Sequence, residues 1–237
     1  MLLLLGFVLS CFISAQSDTV YVTPCKQTDK ACMISSAEEV IKRMVPGIPE
    51  FDMPSIDPLY VESVRNDGVN LKLGFRNMNI YGVGKCKVKD LVRNFGNNTI
   101  RIDVECPLKA VGQYDLKGKM LFLEAFGDGD FEIKTKKVII SVTLKTKITK
   151  GADGKEHWKA TGFDYSYDLV EKVDIDIKNL FNGDETRAKP IREVFNHSWK
   201  ELVSEVGGPI IKELMNKAVA ICNKFFAHQS TDKLEIP

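Results

Sequence analysis

The chain has 237 residues, with 33 Lys and Arg against 32 Asp and Glu, for a formal net charge of +1. That balance removes any general electrostatic pull toward nucleic acid or an anionic membrane surface, and the length fits one large domain or two small ones, with enough chain, 44% of it hydrophobic, to bury a sizeable core. With only three histidines, there is little material for metal or general-base chemistry.

Residues 1–15, MLLLLGFVLSCFISA, carry no charge, and their apolar core runs from Leu2 to Leu9. This is short of the ~20 residues that cross a bilayer. Its length, with small residues at Ser14 and Ala15, predicts a cleaved secretory signal and a domain over 16–237. Secretion places the cysteines in an oxidising compartment where pairing is expected. Cys11 leaves with the signal. Cys25 and Cys32, just beyond the mature start, are expected to pair and hold an otherwise frayed terminus, for ~2.5 kcal/mol in the chain-entropy account.

Ser35 and Glu38 are spaced as a capping box, predicting a helix over AEEVIKRMV that ends at Pro46-Gly47. The segment from Gly47 to Pro58, rich in proline, reads as an extended connector.

From about 60 to 181 the apolar period is two. Val69, Leu71, Leu73 and Phe75 share a face, as do Ile100, Ile102, Val104 and Cys106. Tyr114, Leu116, Met120 and Phe122 form another, and the longest runs from Val138 through Leu144 to Ile148. Phe163, Tyr165, Tyr167 and Leu169 follow, then Val173, Ile175 and Ile177. Turns are expected at Asn97-Asn98, at Gly127-Asp128-Gly129-Asp130 and at Asp153-Gly154. The pattern predicts an antiparallel meander with one wet and one dry face. Cys86 and Cys106 are centred on Gly96, so a hairpin turn at Phe95–Asn98 would set them face to face as a second disulfide. The alternative is two buried thiols.

From Pro190 to His228 the period becomes 3.6, and Gly207-Gly208-Pro209 predicts a kink. Between 210 and 226 the helix is apolar over most of its circumference, so most of it must be covered. The dry sheet face is the available cover, which predicts an α+β fold with the sheet curled around a long C-terminal helix. Cys222 reads there as a small buried apolar residue.

Cys25-x6-Cys32, GIPEFDMPSIDPLYVESV, VGQYDLKGKMLFL with its GDGD, and LFNGDETRAKPIREVFNHSWKELVSEVGGPI resemble the takeout and juvenile hormone-binding protein family of insects. The resemblance covers essentially the whole mature chain, and its most specific parts are Asp57-Pro58-Leu59, Leu180-Phe181-Asn182-Gly183, Asn196, Trp199 and Glu201. It implies a secreted, tubular lipid-binding-like carrier: a long helix wrapped by a strongly curved antiparallel sheet, with an apolar tunnel or pocket between them. The hollow comes from the resemblance, because periodicity cannot separate a filled core from a cavity. Juvenile hormone-binding proteins proper resemble a pattern with a disulfide from a late strand to the C-terminal helix. GFDYSYDLVEKVDIDI has no cysteine for Cys222, and LFNG leans toward takeout.

Catalytic motifs are missing: the sequence has no G-x-S-x-G, H-E-x-x-H or G-x-x-x-x-G-K-[ST]. The GDGD run is explained by turn chemistry rather than calcium ligation. His157 reads as an ordinary strand start, His197 as the polar side of a helix, and His228 as a frayed end. No cofactor and no metal are expected, and the protein is read as no enzyme. The expected pocket lining is Phe75, Met120, Phe122, Leu144, Trp199, Leu202, Val206, Ile210 and Leu214, with Tyr165 and Tyr167 offering hydroxyls to a polar group or satisfying themselves on backbone. Of two glycosylation sequons, Asn97 on its turn is favoured over Asn196 on a helix. The expected partner is a hydrophobic small molecule, bound by a monomer without nucleic acid or stable membrane insertion. Alternatives are a true juvenile hormone carrier and a solid-cored extracellular interaction protein.

Overall fold

Two very long strands carry the fold in the computed structural model, which describes residues 21–236. The expected signal segment lies outside the described residues. In chain order the elements are β1 (Cys25–Lys26), α1 (Lys30–Met44), β2 (Leu59–Asp67), β3 (Leu71–Tyr81), β4 (Lys87–Asn94), β5 (Thr99–Met120), β6 (Leu123–Lys150), β7 (Glu156–Leu169) and β8 (Val173–Ile177). They are followed by α2 (Glu185–His197), α3 (Trp199–Val206), α4 (Gly208–His228), α5 (Thr231–Leu234) and β9 (Glu235–Ile236).

The main sheet runs β2-β3-β5-β6-β7, all antiparallel, with β4 paired to β5 and β8 to β6. Helix α4 packs against both β7 and β2, the two ends of that order. A flat sheet cannot touch one helix with both edges, so the sheet curls around α4. Asn66 at the far end of β2 donates to the Val206 carbonyl, 3.4 Å away, and helps hold that edge. The α+β fold with an antiparallel sheet and a C-terminal helix is therefore as the sequence predicts.

Several local expectations are corrected. Helix α1 starts at Lys30, not at the Ser35 capping box, because Asp29 caps it by accepting from Cys32 N at 3.0 Å. Glu38 instead reaches across to accept from Val88 N at 3.0 Å. The GDGD run is no turn. It lies inside β6, with Gly129 opposite Tyr114 and Gly127 opposite Leu116. Residues 178–180 cross so closely over it that a Cβ on Gly129 would sit 2.6 Å from the Lys178 carbonyl oxygen, and one on Gly127 2.6 Å from Tyr114 Oη. The glycines serve close approach rather than reversal. The reversal falls at Leu121-Phe122, with Leu121 at φ 56°, so Phe122 leaves the alternation and stands 73% exposed.

The C-terminal helical region begins at Glu185, capped by Asp184, and departs from helical torsion at Ser198 (φ −112°, ψ 28°). Gly207 stays helical, and hydrogen bonds from Gly207 N to Val203 O and from Ile211 N to Gly207 O carry the chain through the expected kink.

Both expected disulfides form. Cys25–Cys32 closes next to β1, which pairs in parallel with β9 and so ties the two ends of the described chain together. The β4–β5 turn occupies 95–98, and its register alone would set Cys86 opposite Pro107. A bulge between Val88 and Asp90 shifts the ladder so that Lys87 faces Glu105 and Cys86 meets Cys106.

Candidate functional site

The largest packed cluster sits at one end of the molecule, around Val61, Tyr114, Leu116, Leu180 and Ile191. Tyr114 is fully buried and donates its hydroxyl to the Lys178 carbonyl at 2.6 Å, and burial pushes its pKa up to about 12. Toward the other end the sheet and helices stand apart around a cavity of about 650 Å³, within the range of small-molecule sites.

Each wall follows from a periodicity. Ile100, Ile102, Val104 and Cys106 of β5 face the cavity together with Val138, Ile140, Val142 and Leu144 of β6, the same-face residues of two paired strands. Strand β7 adds Trp158, Tyr165, Tyr167 and Leu169. Helix α4 presents Ile211, Leu214, Met215, Ala218, Ile221, Cys222 and Phe225, which explains why so much of its circumference is apolar. The fourth wall is α1, through Met33, Ala37, Val40, Ile41 and Met44. Cys222 is the free cysteine among the described residues, and burial pushes its thiol up to about 11.

Of the residues expected from sequence to line a pocket, Leu144, Tyr165, Tyr167 and Leu214 stand on this wall. Met120, Leu202, Val206 and Ile210 belong instead to the packed cluster around Tyr114, and Phe75 packs against it, its ring tilted 59° to that of Phe131 with centroids 4.6 Å apart. Trp199 packs on the small cluster of Cys106, Val138, Leu169 and Val173. The reason for the displacement is the way the helices are turned. Leu202, Val206 and Ile210 share one face and join the packed cluster, whereas Val203 and Ile211, one position on from Leu202 and Ile210, line the cavity. The α1 wall was overlooked, although Met33, Ala37, Val40, Ile41 and Met44 follow i, i+4, i+7, i+8 and i+11.

A small polar group interrupts the apolar lining. Arg93 is only 7% exposed. Its Nη1 donates to the carbonyls of Thr99 at 3.3 Å and Asn94 at 3.4 Å, and its carbonyl accepts from Gln27 Nε2 at 3.2 Å. Its guanidinium lies over the rings of Phe95 and Trp158, 4.5 and 5.0 Å from their centroids. Glu235 of β9 approaches with Oε2 at 3.7 Å from Arg93 Nε. Burial raises the Glu235 pKa, and the neighbouring Arg93 and Trp158 draw it partly back.

Among the described residues no cluster of His, Cys, Asp and Glu could hold a metal ion. His157 is buried, with Nδ1 2.9 Å from the Phe226 carbonyl and Nε2 3.0 Å from Asp153 Oδ1, so it joins the β6–β7 turn to the end of α4. It is more than an ordinary strand start. His197 and His228 turn Nδ1 to the carbonyls of Glu193 and Lys224 four residues earlier, and His228 also stacks on Phe51. Asn97 is exposed on the β4–β5 turn, and its Oδ1 accepts from Thr99 Oγ1 at 2.7 Å.

Comparison with known proteins agrees with this architecture. The family model described as haemolymph juvenile hormone binding protein (JHBP) matches residues 2–235. The circadian clock-controlled protein daywake of Drosophila melanogaster is 25% identical over 227 residues, covering 88% of this chain and 85% of that protein. The juvenile hormone-binding protein of Manduca sexta is 24% identical over 166 residues, covering 69% of this chain and 62% of its own length. The crystal structure of Epiphyas postvittana Takeout 1 superposes with a TM-score of 0.86 at 22% identity, covering 91% of this chain and all of that one. No helix among the described residues is long and apolar enough to cross a membrane.

Proposed function

The chain belongs to the haemolymph juvenile hormone binding protein family, and on that premise we propose that it is a secreted, monomeric carrier. Its cargo is a lipophilic small molecule held in the cavity between sheet and helix. The observation that carries this reading is the cavity itself: about 650 Å³ walled by same-face residues of β5, β6 and β7 and by α1 and α4. A solid-cored protein would place those side chains in mutual contact, as the cluster around Tyr114 does.

Such a carrier works by solubility, not reaction. Burying apolar surface contributes ~25 cal/mol per Å², so ~400 Å² of chain-like ligand gives ~10 kcal/mol gross. Association losses of at least ~4 kcal/mol leave ~6 kcal/mol, which corresponds to retention in the range of tens of micromolar. A juvenile hormone carrier proper would hold an epoxide ester terpenoid, and competition between that hormone and a long-chain lipid separates the two cargoes. Asn97 is proposed as the glycosylated sequon, on its exposed turn.

The test is native against denaturing mass spectrometry on protein secreted from insect cells. A stoichiometric mass lost on denaturation and extractable into organic solvent supports the carrier. A folded protein that carries no such mass and takes up no apolar probe overturns it.

A further inference from the structure

The two most exposed large apolar side chains among the described residues are Val69, which is fully exposed, and Phe122, at 73%. They are distant in sequence and neighbours in the fold. Val69 lies in the turn between β2 and β3, and Phe122 in the turn between β5 and β6. Leu71 faces Gly118 across β3 and β5, and the Asn70 carbonyl accepts from Lys119 N at 2.8 Å. The two turns therefore project side by side from one end of the sheet.

A single apolar side chain on a surface needs no account. Two on adjacent turn tips are different, because Gly, Asn and Asp are the residues that close such turns at least cost. The β5–β6 turn uses Leu121-Phe122 instead, with Leu121 at φ 56°, a left-handed torsion unfavourable for leucine. Leu121 packs against the cluster around Tyr114, and Phe122 is left facing solvent.

The strands behind these tips carry unpaired positive charge. Lys72 of β3 stands directly opposite Lys117 of β5, an unfavourable pairing of like charges, and Lys119 follows toward the turn. All three lysines are exposed, and among the described residues none of them makes an ion pair. Asp67, opposite Lys72, is held by Arg65 at 3.3 Å, and Glu124 stands opposite Lys119 as the remaining counter-charge on these strand ends.

We propose that this end of the molecule docks reversibly on an anionic lipid surface, beyond its reading as a carrier. Val69 and Phe122 enter the boundary between headgroups and acyl chains, and Lys72, Lys117 and Lys119 meet the lipid phosphates behind them. Two protruding tips suit a surface that yields around them. A protein partner would need a matching hollow for each, and more buried area than two side chains supply. The near-neutral chain has no overall attraction to such a surface, so these lysines supply it locally, within a Debye length of the phosphates.

The experiment sediments the full mature chain with vesicles of phosphatidylcholine, with and without phosphatidylserine. The protein is expected to bind the phosphatidylserine vesicles and to leave them as salt rises. Lys117→Gln is expected to weaken that binding about five-fold, and Phe122→Ser several-fold. Both residues are exposed, so native circular dichroism and unchanged uptake of an apolar probe are expected, which keeps loss of docking apart from loss of the carrier. Absence of binding to phosphatidylserine vesicles overturns the proposal, as does equal binding to phosphatidylcholine alone. Wild-type binding by both variants overturns it by placing the contact elsewhere. A concentration-dependent dimer that Phe122→Ser abolishes, without vesicle binding, overturns it in favour of a second copy of this chain.

Discussion

Asn223 of α4 makes both backbone hydrogen bonds that Ala160 of β7 turns outward: its Oδ1 accepts from Ala160 N at 2.8 Å and its Nδ2 donates to Ala160 O at 3.1 Å. β7 is an end strand of the main sheet, and the amide stands where a neighbouring strand would otherwise pair. The helix is thus fastened to the sheet edge by a side chain imitating backbone, directly beside the cavity. Asn223→Leu leaves two backbone groups unpaired and is expected to cost about 2–4 kcal/mol. Urea unfolding measures it, and a change below ~0.5 kcal/mol would show that water substitutes for the amide.

Tyr114 makes stability depend on alkali. The folded protein keeps its phenolic proton up to about 12, whereas the unfolded chain releases it near ~10. Between those values the unfolded state binds fewer protons, so stability falls as pH rises, by ~2–3 kcal/mol across the window. Tyr114→Phe is expected to lower stability at neutral pH, because the Lys178 carbonyl loses its donor, and to flatten the alkaline decline. Denaturation midpoints at pH 8, 10 and 11 for both proteins decide the matter.

The two disulfides close loops of different length, with sequence separations of 7 and 20. In the chain-entropy account removing the longer costs ~3.3 kcal/mol and the shorter ~2.4 kcal/mol. Paired alanine variants compared by thermal unfolding test the order. The longer bridge also lines the cavity at both sulfur-bearing residues, so its loss is expected to weaken probe uptake as well.

Ala218 faces the cavity from the middle of α4. Ala218→Trp fills that space without touching the cluster around Tyr114, and is expected to abolish probe uptake while the circular dichroism spectrum stays native. Cys222, one turn further on, reports the same space. With its thiol pushed up to about 11, alkylation by iodoacetamide is expected to be slow in the folded protein. A bound lipophile should slow it further.

Much of this was legible because a half-buried strand advertises its inward face at every second residue. Ile100–Cys106 and Val138–Leu144 were read that way and form the two main strand walls. The wide apolar surface of α4 likewise announced a helix set against the sheet, with Lys212, Glu213, Asn216 and Lys217 left as its exposed stripe. What stayed hidden depends on how a helix is turned about its axis or on contacts between remote segments. Val206 and Ile210 join the packed cluster, while Val203 and Ile211 line the cavity. The glycines of GDGD look like a turn because the segment crossing them is fifty residues away. Arg93 and Glu235 carry no shared pattern, since a bulged strand and a two-residue strand near the C-terminus bring them together.

The β6 strand runs 28 residues from Leu123 to Lys150 and passes beneath both regions, under the Tyr114 cluster near Phe131 and along the cavity at Ile140 and Val142. Its two halves therefore answer to different demands. A change of side-chain size near Phe131 must be matched by its packed neighbours. The same change at Ile140 or Val142, each packed on one side and open to the cavity on the other, also alters the shape of the space beside it. Descent with modification can thus rewrite what this backbone accommodates one wall residue at a time, while the hydrogen-bond ladder that both halves share keeps the architecture in register.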